Sequence, residues 1–517
     1  MSSPDDAIRS FRRDLVDHLK PVSAAWSVNG RDVTFTSSFD DDMEVGGFFA
    51  AVTPEGERVL VQAHALRLAT RDSIRLDLDT TDLPEGAGVV RSANVGMMVR
   101  YVEGEGQVLG GAVAPFGEAV LDRATADEVR SLLADNVGSS VGLPVGRLSS
   151  APVDATLRAS GFARHTFLCG QSGSGKTYSL GALLERMLLE TDLPLVVIDP
   201  NSDYVGLGSF RSRAEINRSR ETPLSVAAYR ALRERYEARA DVVVAGASGR
   251  DLPLRIHLSD LTLLEQALTL ELDPVADADE YAAFVDATAA LTSDRYVVAQ
   301  VAEVLHHRFD EASRRLAQRI QNLRIASWSV WASVDEPSLV DLVQGRRTIV
   351  LDTGSLAEAR ERSVVALALL GRLRRRTART AMSIVIDEAH NVCSPDAASG
   401  IERAVAAHAI WIAGEGRKFG LYMVLSTQRP QKVHRNVISQ CDNLLLMRVN
   451  SLADLDELAT VFSHVPHAMV LEARSFRLGE MLAAGPIAPT PMRLRVGERW
   501  SPEGGADLPT TWASRKG

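Results

Sequence analysis

The chain has 517 residues, 45% of them hydrophobic, which is enough apolar material for roughly two to four folded domains. Its formal charge of −10 argues weakly against a protein that coats nucleic acid over its whole surface, although a basic channel or loop stays possible. The three cysteines, Cys169, Cys393 and Cys441, are odd in number and far apart, so neither a disulfide framework nor a zinc knuckle is expected. Because there is no apolar signal core and no long apolar run, we expect a cytoplasmic protein with no membrane partner.

The first part of the chain is predicted to be a helix followed by a β-rich domain. In residues 1–21 the apolar side chains Leu15, Val16 and Leu19 share one helical face. Residues 22–150 consist of short β-rich runs separated by glycine-containing turns such as Asn29-Gly30, with one helix at about 123–135. This texture predicts a small antiparallel sheet or barrel.

Residues 151–490 predict an α/β domain, in which short apolar strands alternate with helices around a buried parallel sheet. Residues of about 260–335, rich in Ala, Leu, Arg and Glu, are predicted to be a helical insertion in this domain. Residues 491–517 are rich in Gly, Pro and Ser, which predicts either a loose terminus or a segment that packs on a neighbouring subunit. The predicted strands are Thr166–Cys169, Leu195–Ile198, Thr348–Leu351, Ser383–Ile386, Leu421–Ser426 and Leu444–Val449.

A glycine-rich stretch after the first of these strands is the strongest functional signal. It consists of Gly170, Gln171, Ser172, Gly173, Ser174, Gly175, Lys176 and Thr177. The stretch fits G-x-x-x-x-G-K-[ST] at every fixed position, with a strand before it and a helix after it. Its backbone N–H groups can cradle phosphates, Lys176 can reach the β- and γ-phosphates, and the hydroxyl of Thr177 suits Mg²⁺. We therefore predict a nucleoside triphosphate and Mg²⁺ as cofactors.

Two adjacent acids, Asp387 and Glu388, end the predicted strand Ser383–Ile386. Asp387 is predicted to hold Mg²⁺, and Glu388 is predicted to be the catalytic base that polarises the attacking water. Adjacent acids in this position favour hydrolysis over switching or small-molecule phosphorylation.

Other strands also end in polar residues, among them Asp199, Asp352 and Gln428. The carboxyl ends of parallel strands share one edge of the sheet, so the phosphate loop, Asp199, Asp387, Glu388 and Gln428 are expected to converge there. Asp199 is predicted to take part in nucleotide binding. Gln428 is predicted to sense the γ-phosphate or the attacking water, with an ordinary turn amide as the alternative.

The basic residues allow several interpretations. In ring ATPases a neighbouring subunit often donates an arginine to the site; Arg417 is the first candidate here and Arg448 the second, with plain surface charge as the alternative for both. The basic stretches 371–380 and 313–324 are either phosphate contacts in a pore or solvated helices. Neither stretch contains aromatics, so base stacking is not indicated.

Five stretches occur in the order seen in the HerA family of hexameric DNA translocases, within the wider HerA/FtsK group. They read RHTFLCGQSGSGKTYSL, VVIDPNSDY, IVIDEAHN, EGRKFGLYMVLSTQRP and VISQCDNLLLMRVNSLADL. The spellings around Asp387-Glu388 and Gln428 favour HerA over FtsK itself or the conjugation pumps. The resemblance covers about residues 22–490, and it departs from the family at Ser202, where glycine is frequent.

The resemblance implies a RecA-like motor domain with a helical insertion, preceded by a small N-terminal β-barrel domain. It also implies a homohexamer that hydrolyses ATP to move on double-stranded DNA, with a separate nuclease or antiviral defence effector as partner. In that scheme Lys176 and Thr177 bind ATP and Mg²⁺, Glu388 is the base and Gln428 the sensor. A scaffold or sensor ATPase, whose ring assembles and activates a partner enzyme without moving on DNA, is the alternative.

Overall fold

The computed structural model describes residues 23–38, 43–71, 75–79, 92–96, 99–218, 222–247 and 249–504. The predicted helix at 1–21 and the part of the predicted C-terminal segment from 505 to 517 lie outside these residues. Two β structures organise the described chain: a closed six-stranded barrel and a twelve-stranded mixed sheet.

The barrel confirms the predicted N-terminal β-barrel. The strands of this part of the chain are β1 (Ala24–Ser27), β2 (Asp32–Ser38), β3 (Phe48–Val52), β4 (Arg58–Arg71), β5 (Arg75–Asp79), β6 (Ser92–Gly96), β7 (Val99–Val108) and β8 (Phe116–Arg123). The barrel order is β1-β2-β7-β4-β3-β8, all pairs are antiparallel, and β8 closes onto β1, so that no strand edge is left unpaired in the barrel. Among the described residues, strands β5 and β6 form a separate two-stranded sheet. Inward-facing Phe35, Phe49 and Val61 fill the barrel interior.

The large sheet carries the second half of the fold. Its strands are β9 (Gly142–Leu148), β10 (Asp154–Arg158), β11 (His165–Cys169), β12 (Leu195–Asp199), β13 (Val242–Gly246), β14 (Leu252–Pro253), β15 (Thr348–Asp352), β16 (Met382–Ile386), β17 (Leu421–Thr427), β18 (Cys441–Leu446), β19 (Glu480–Ala484) and β20 (Met492–Val496). The order is β10-β9-β20-β19-β18-β11-β17-β16-β12-β15-β13-β14. The run from β18 to β14 is parallel, whereas β19, β20, β9 and β10 are added antiparallel at one end.

The helices cover both faces of this sheet. They are α1 (Ala126–Val137), α2 (Lys176–Glu190), α3 (Arg213–Asn217), α4 (Val226–Glu237), α5 (Leu263–Thr269), α6 (Ala278–Ala289), α7 (Val298–His306), α8 (Glu311–Asn322), α9 (Leu339–Gly345), α10 (Ala359–Arg374), α11 (Gly400–Glu415), α12 (Arg435–Ile438), α13 (Leu452–Val461) and α14 (His467–Leu471). Helices α5 to α8 lie within the predicted insertion. No helix of the described residues is long and apolar enough to cross a bilayer.

The core follows from the period of two along the parallel strands. In β11, Phe167 and Cys169 belong to the apolar cluster on one face, whereas Leu168 belongs to the cluster on the other. All residues of β11 and β12 are buried, which explains why these strands are continuous apolar runs without polar alternation. Cys169 is fully buried and fills the end of its strand, and burial raises the pKa of its thiol to about 12.

The segment after residue 490 packs on its own chain. Strand β20 pairs with β19 and β9, so β9 lies in the large sheet and the predicted boundary near 150 falls between the paired strands β9 and β10. Beyond β20, the backbone N–H groups of Trp500 and Ser501 donate to the buried carboxylate of Glu185 in α2. Up to residue 504 the segment is therefore part of the α/β core rather than a loose terminus. The division of the chain into domains remains a proposal.

Candidate nucleotide site

The glycine-rich stretch forms a loop between the carboxyl end of β11 and the start of α2, the place predicted for a phosphate cradle. Gly175 is the N-cap of α2 with φ +91°, a left-handed conformation that only glycine adopts without strain. The N-terminal N–H groups of α2 and its helix dipole thus face the loop. Lys176 and Thr177 are the first two helical residues, so both functional side chains leave from the same turn.

Lys176 is the centre of the site. Its Nζ donates to Asp387 Oδ1 at 2.8 Å, to Ser426 Oγ at 3.1 Å and to Glu388 Oε1 at 3.2 Å. Burial disfavours a charged ammonium, but the two carboxylates outweigh it and raise the pKa of Lys176. The structure therefore brings together the lysine and the two acids that the sequence places more than 200 residues apart. A triphosphate in the loop would compete with these carboxylates for the ammonium.

Glu388 lies at the edge of the sheet in a strained conformation. Its φ of +46° falls in the left-handed region, which is unfavourable for a residue with a side chain. Oε1 accepts from Gln428 Nε2 at 2.8 Å, whereas Oε2 is buried and accepts no hydrogen bond from the described residues, although His390 Nδ1 lies 3.3 Å away. Nδ1 of His390 is also 3.2 Å from the hydroxyl of Thr427. One oxygen of Glu388 is thus fixed and the other remains available to accept a proton.

Asp199 and Asp203 line the neighbouring strand end. Asp199 is fully buried and accepts the backbone N–H groups of Asn201, Asp203 and Tyr204, so its carboxylate shapes the loop after β12. Burial raises the pKa of Asp199 to about 7, against the backbone donors that favour its charged form. Burial and the charge of Asp387 raise the pKa of Asp203 to about 6. The predicted contact of Asp199 with nucleotide stays a prediction.

The backbone after β12 explains one departure from the family pattern. Ser202 has φ +61°, a conformation that glycine adopts readily, and its hydroxyl donates to Asp352 Oδ1 at 2.6 Å. Nε of Arg250 donates to the other oxygen of Asp352, also at 2.6 Å. A serine can therefore replace the frequent glycine here, because its hydroxyl forms a hydrogen bond with Asp352 at the end of β15.

The residues present fit a phosphate chain with Mg²⁺. The hydroxyl of Ser174 is buried without a hydrogen-bond partner among the described residues, and the space beside Gly173 is open. The backbone N–H groups of the loop and Lys176 suit a polyanion. Asp387 and the hydroxyl of Thr177 provide the few oxygen ligands that Mg²⁺ needs when it keeps part of its water shell.

The two candidate arginines lie at opposite edges of the sheet. Nη1 of Arg417 pairs with Asp442 Oδ2 at 3.0 Å, and both residues stand where β17 and β18 begin, away from the Lys176 edge of the same chain. Nη2 of Arg448 donates to the carbonyl of Gly173 at 3.1 Å, and its backbone carbonyl accepts from Gln171 N. Arg448 therefore contacts the phosphate loop of its own subunit, and a role of Arg417 in a neighbour's site stays a prediction.

Some arginines of the two basic stretches form ion pairs within the chain. In stretch 313–324, which forms most of α8, Arg315 pairs with Glu311 and Arg319 with Asp277. In stretch 371–380, Nη1 of Arg375 donates to Glu265. At these three positions pairing favours a structural role over a phosphate contact, and the choice between the two interpretations for the whole stretches stays a prediction.

Two residues that complete the site were not predicted. Ser426 donates its hydroxyl to Asp387 Oδ1 at 2.7 Å and also accepts from Lys176; a hydroxyl residue directly after the apolar run of β17 was the available signal. Arg499 is fully buried behind α2 and was hidden in a tail rich in Gly, Pro and Ser. No sequence pattern links it to the site.

Arg499 ties the first turn of α2 to the loop after β12. Its Nη2 donates to the carbonyl of Asp203 at 2.9 Å, and its Nη1 lies 3.5 Å from the carbonyl of Thr177. Its backbone N–H donates to the hydroxyl of Tyr178 at 2.7 Å. A Cβ on Gly181 would lie 2.5 Å from the guanidinium, so glycine is required there for the arginine to fit. The two backbone segments of the site are thus held at a fixed spacing.

Comparison with known proteins agrees with this geometry. Residues 143–373 match the family model described as the central domain of helicase HerA. The DNA double-strand break repair helicase HerA of Saccharolobus solfataricus is 21% identical over 396 residues, which are 74% of this chain and 73% of that protein. The predicted resemblance to the HerA family is thereby confirmed, and the phosphate loop lies within the matched central domain.

Other proteins are similar to this chain over shorter segments or in fold alone. The probable helicase MJ1565 of Methanocaldococcus jannaschii is 31% identical over 97 residues, and the match spans 19% of each protein. Among solved structures, VirB4 of Thermoanaerobacter pseudethanolicus has a TM-score of 0.49 at 16% identity and covers 69% of this chain and 96% of its own.

Proposed function

We propose that this chain hydrolyses ATP to drive movement along double-stranded DNA. The observation that carries the proposal is the carboxylate of Glu388, held between Lys176 and Gln428 with one oxygen buried and free to accept a proton. Binding alone needs no such group, whereas hydrolysis requires a base near the end of the phosphate chain. Family membership supplies the link to motors.

In this proposal each side chain has one task. The loop amides and Lys176 hold the β- and γ-phosphates, and Asp387 with Thr177 would hold Mg²⁺, which neutralises phosphate charge when bound. Oε2 of Glu388 accepts the proton of the attacking water. The amide of Gln428 holds Oε1 and leaves Oε2 without a hydrogen bond among the described residues.

The DNA substrate and the assembly rest on the relatives. The S. solfataricus relative is named for DNA double-strand break repair, which supports duplex DNA as the track. A homohexameric ring is the assembly proposed here, in which Arg417 would leave Asp442 to reach a neighbour's site. A separate nuclease or an antiviral defence effector is the proposed partner.

The test is ATP turnover of the purified full chain with and without blunt duplex DNA, together with its native mass. We expect a ring of uniform mass with ATP, and turnover that rises several-fold when duplex is added. Displacement of a labelled strand or a roadblock from the duplex checks movement directly. An assembled ring whose turnover ignores duplex would contradict a DNA motor and leave the scaffold ATPase as the better function.

A further inference from the structure

A short cationic loop follows the proposed sensor. We call residues 428–436, which run from the end of β17 into the first turn of α12, the sensor loop. Arg429, Lys432 and Arg435 in this loop are exposed, and the loop contains no acidic residue. In the described part of the chain, none of these three side chains forms a hydrogen bond or an ion pair.

The sensor loop differs from the basic stretches 313–324 and 371–380, in which some of the arginines pair with acids. There Arg315 pairs with Glu311 and Arg319 with Asp277, whereas Arg314 has no ion pair among the described residues. Three exposed and uncompensated positive charges within seven residues attract an anion instead. The loop has no aromatic side chain, so it suits phosphates rather than stacked bases.

Direct contacts join the sensor loop to the turn that carries Glu388. Besides the bond from Gln428 to Glu388, the hydroxyl of Thr427 lies 3.2 Å from Nδ1 of His390. The backbone N–H of His434 donates to the carbonyl of Cys393 at 2.6 Å. The loop therefore contacts the segment that carries Glu388 near both of its ends, and a shift of the loop would move Gln428, which donates to Glu388.

The positive charges of the sensor loop also act on His390, in the turn that carries Glu388. Burial lowers the pKa of His390, and the charges of Arg429 and Lys432 lower it further. Anions bound to these cations would weaken that effect on the side chain next to Oε2 of Glu388. Occupancy of the loop is thus felt at the proposed base both by contact and by charge.

We propose that Arg429, Lys432 and Arg435 bind backbone phosphates of duplex DNA, and that this contact sets the position of Glu388 through the sensor loop. The inference rests on the proposed function, because it names the surface by which the motor detects its track. It assigns a site for DNA that lies next to the hydrolytic centre instead of on the paired helices.

The test compares two triple variants of the full chain. The loop variant carries Arg429→Gln, Lys432→Gln and Arg435→Gln. The control variant carries Arg218→Gln, Arg230→Gln and Arg314→Gln, which remove the same charge from exposed positions without ion pairs in the described residues. Thermal unfolding and native mass show that both fold and assemble, and a fluorescent blunt duplex serves as the probe.

We expect the loop variant to bind the duplex at least about tenfold more weakly, and the slope of log Kd against log salt to fall by about 3, near 0.9 for each lost phosphate contact. At duplex concentrations that saturate the variant, the ratio of turnover with DNA to turnover without DNA should fall to about one, because phosphate contact no longer reaches Glu388. The control variant should behave as the parent.

Each of three other outcomes would contradict one specific part of the proposal. If the parent neither binds duplex nor responds to it, the proposed function fails. If the parent responds and the loop variant keeps its affinity and salt slope, the assignment of the DNA surface is wrong while the motor stands. If affinity falls but saturating duplex restores stimulation, the loop binds DNA and the link to Glu388 is wrong.

Discussion

Two buried carboxylates, Glu388 at the nucleotide edge and Glu265 among the helices, are held in opposite ways. Glu265 accepts from His408 Nε2 at 2.7 Å and from Thr262 N at 2.7 Å, and Nη1 of Arg375 lies 3.2 Å from both of its oxygens. Glu388 has one satisfied oxygen and one without a hydrogen bond, on a left-handed backbone. Complete satisfaction indicates a structural group, whereas a buried vacant acceptor on strained backbone indicates a group that meets a ligand.

The largest expected effect is at Glu388. Glu388→Gln keeps the hydrogen-bonding shape but cannot accept a proton, so turnover should fall about 10²- to 10⁴-fold while nucleotide binding persists. Steady-state ATPase assays and binding of a labelled nucleotide measure the two quantities. Asp396→Asn, an exposed acid beyond the same turn, is the matched control. Turnover at the parental rate in Glu388→Gln would show that another group is the base.

An intermediate effect, on stability and not on turnover, is expected at Glu265. Its hydrogen bonds to His408, Thr262 and Arg375 outweigh burial and lower the pKa of Glu265 from 4.5 to about 2. The carboxylate therefore stabilises the fold above about pH 4.5, and this contribution is lost as the pH falls toward 2.

Glu265→Gln should lower the free energy of unfolding at neutral pH by about 2 kcal/mol and leave ATP turnover unchanged. Urea unfolding of parent and variant at several pH values measures the difference, which should shrink below pH 4.5. A difference that grows on acidification, or a loss of turnover in the folded variant, would contradict the contrast drawn with Glu388.

The smallest expected effect is at Arg324, whose strained backbone lies outside the nucleotide site. Arg324 is exposed and has φ +52°, in the same left-handed region as Glu388. Arg324→Gly should raise the free energy of unfolding by up to about 1 kcal/mol with no change in turnover, because glycine adopts this conformation freely. Arg324→Ala, which loses the side chain but keeps the strain, should bring no such gain. Equal stability of the glycine and alanine variants would show that the backbone there is not strained.

The sequence was sufficient to predict the site residues that lie at the carboxyl ends of the parallel strands. The apolar runs that became β11, β12, β15, β16, β17 and β18 were predicted, and a parallel sheet then brings Lys176, Asp387, Glu388 and Gln428 to one edge. The convergence follows from topology, so no knowledge of side-chain contacts was needed. The closed barrel likewise follows from short strands with regular turns.

The rest depends on partners that a local pattern does not specify. Asp199 was predicted to bind nucleotide, yet its carboxylate accepts the backbone N–H groups of its own loop, a contact that only the fold reveals. Ser426 belongs to an ordinary apolar strand until Lys176 and Asp387 lie beside it. In the antiparallel part of the sheet, β20 pairs with β9, which is more than 300 residues away in sequence. The hydrophobic periodicity of a strand does not predict such a partner.

The buried arginine behind α2 has a consequence for the order of folding. Arg499 contacts Thr177 and Tyr178 across more than 300 positions, and β20 pairs with β9 across a similar span. During synthesis the phosphate loop leaves the ribosome long before residues 499–501, which pack against α2. Until those residues emerge, Gly181 and Glu185 lack their native contacts. The nascent chain should therefore bind ATP only after residues near 500 have emerged. By that point most strands of the large sheet have also been synthesised.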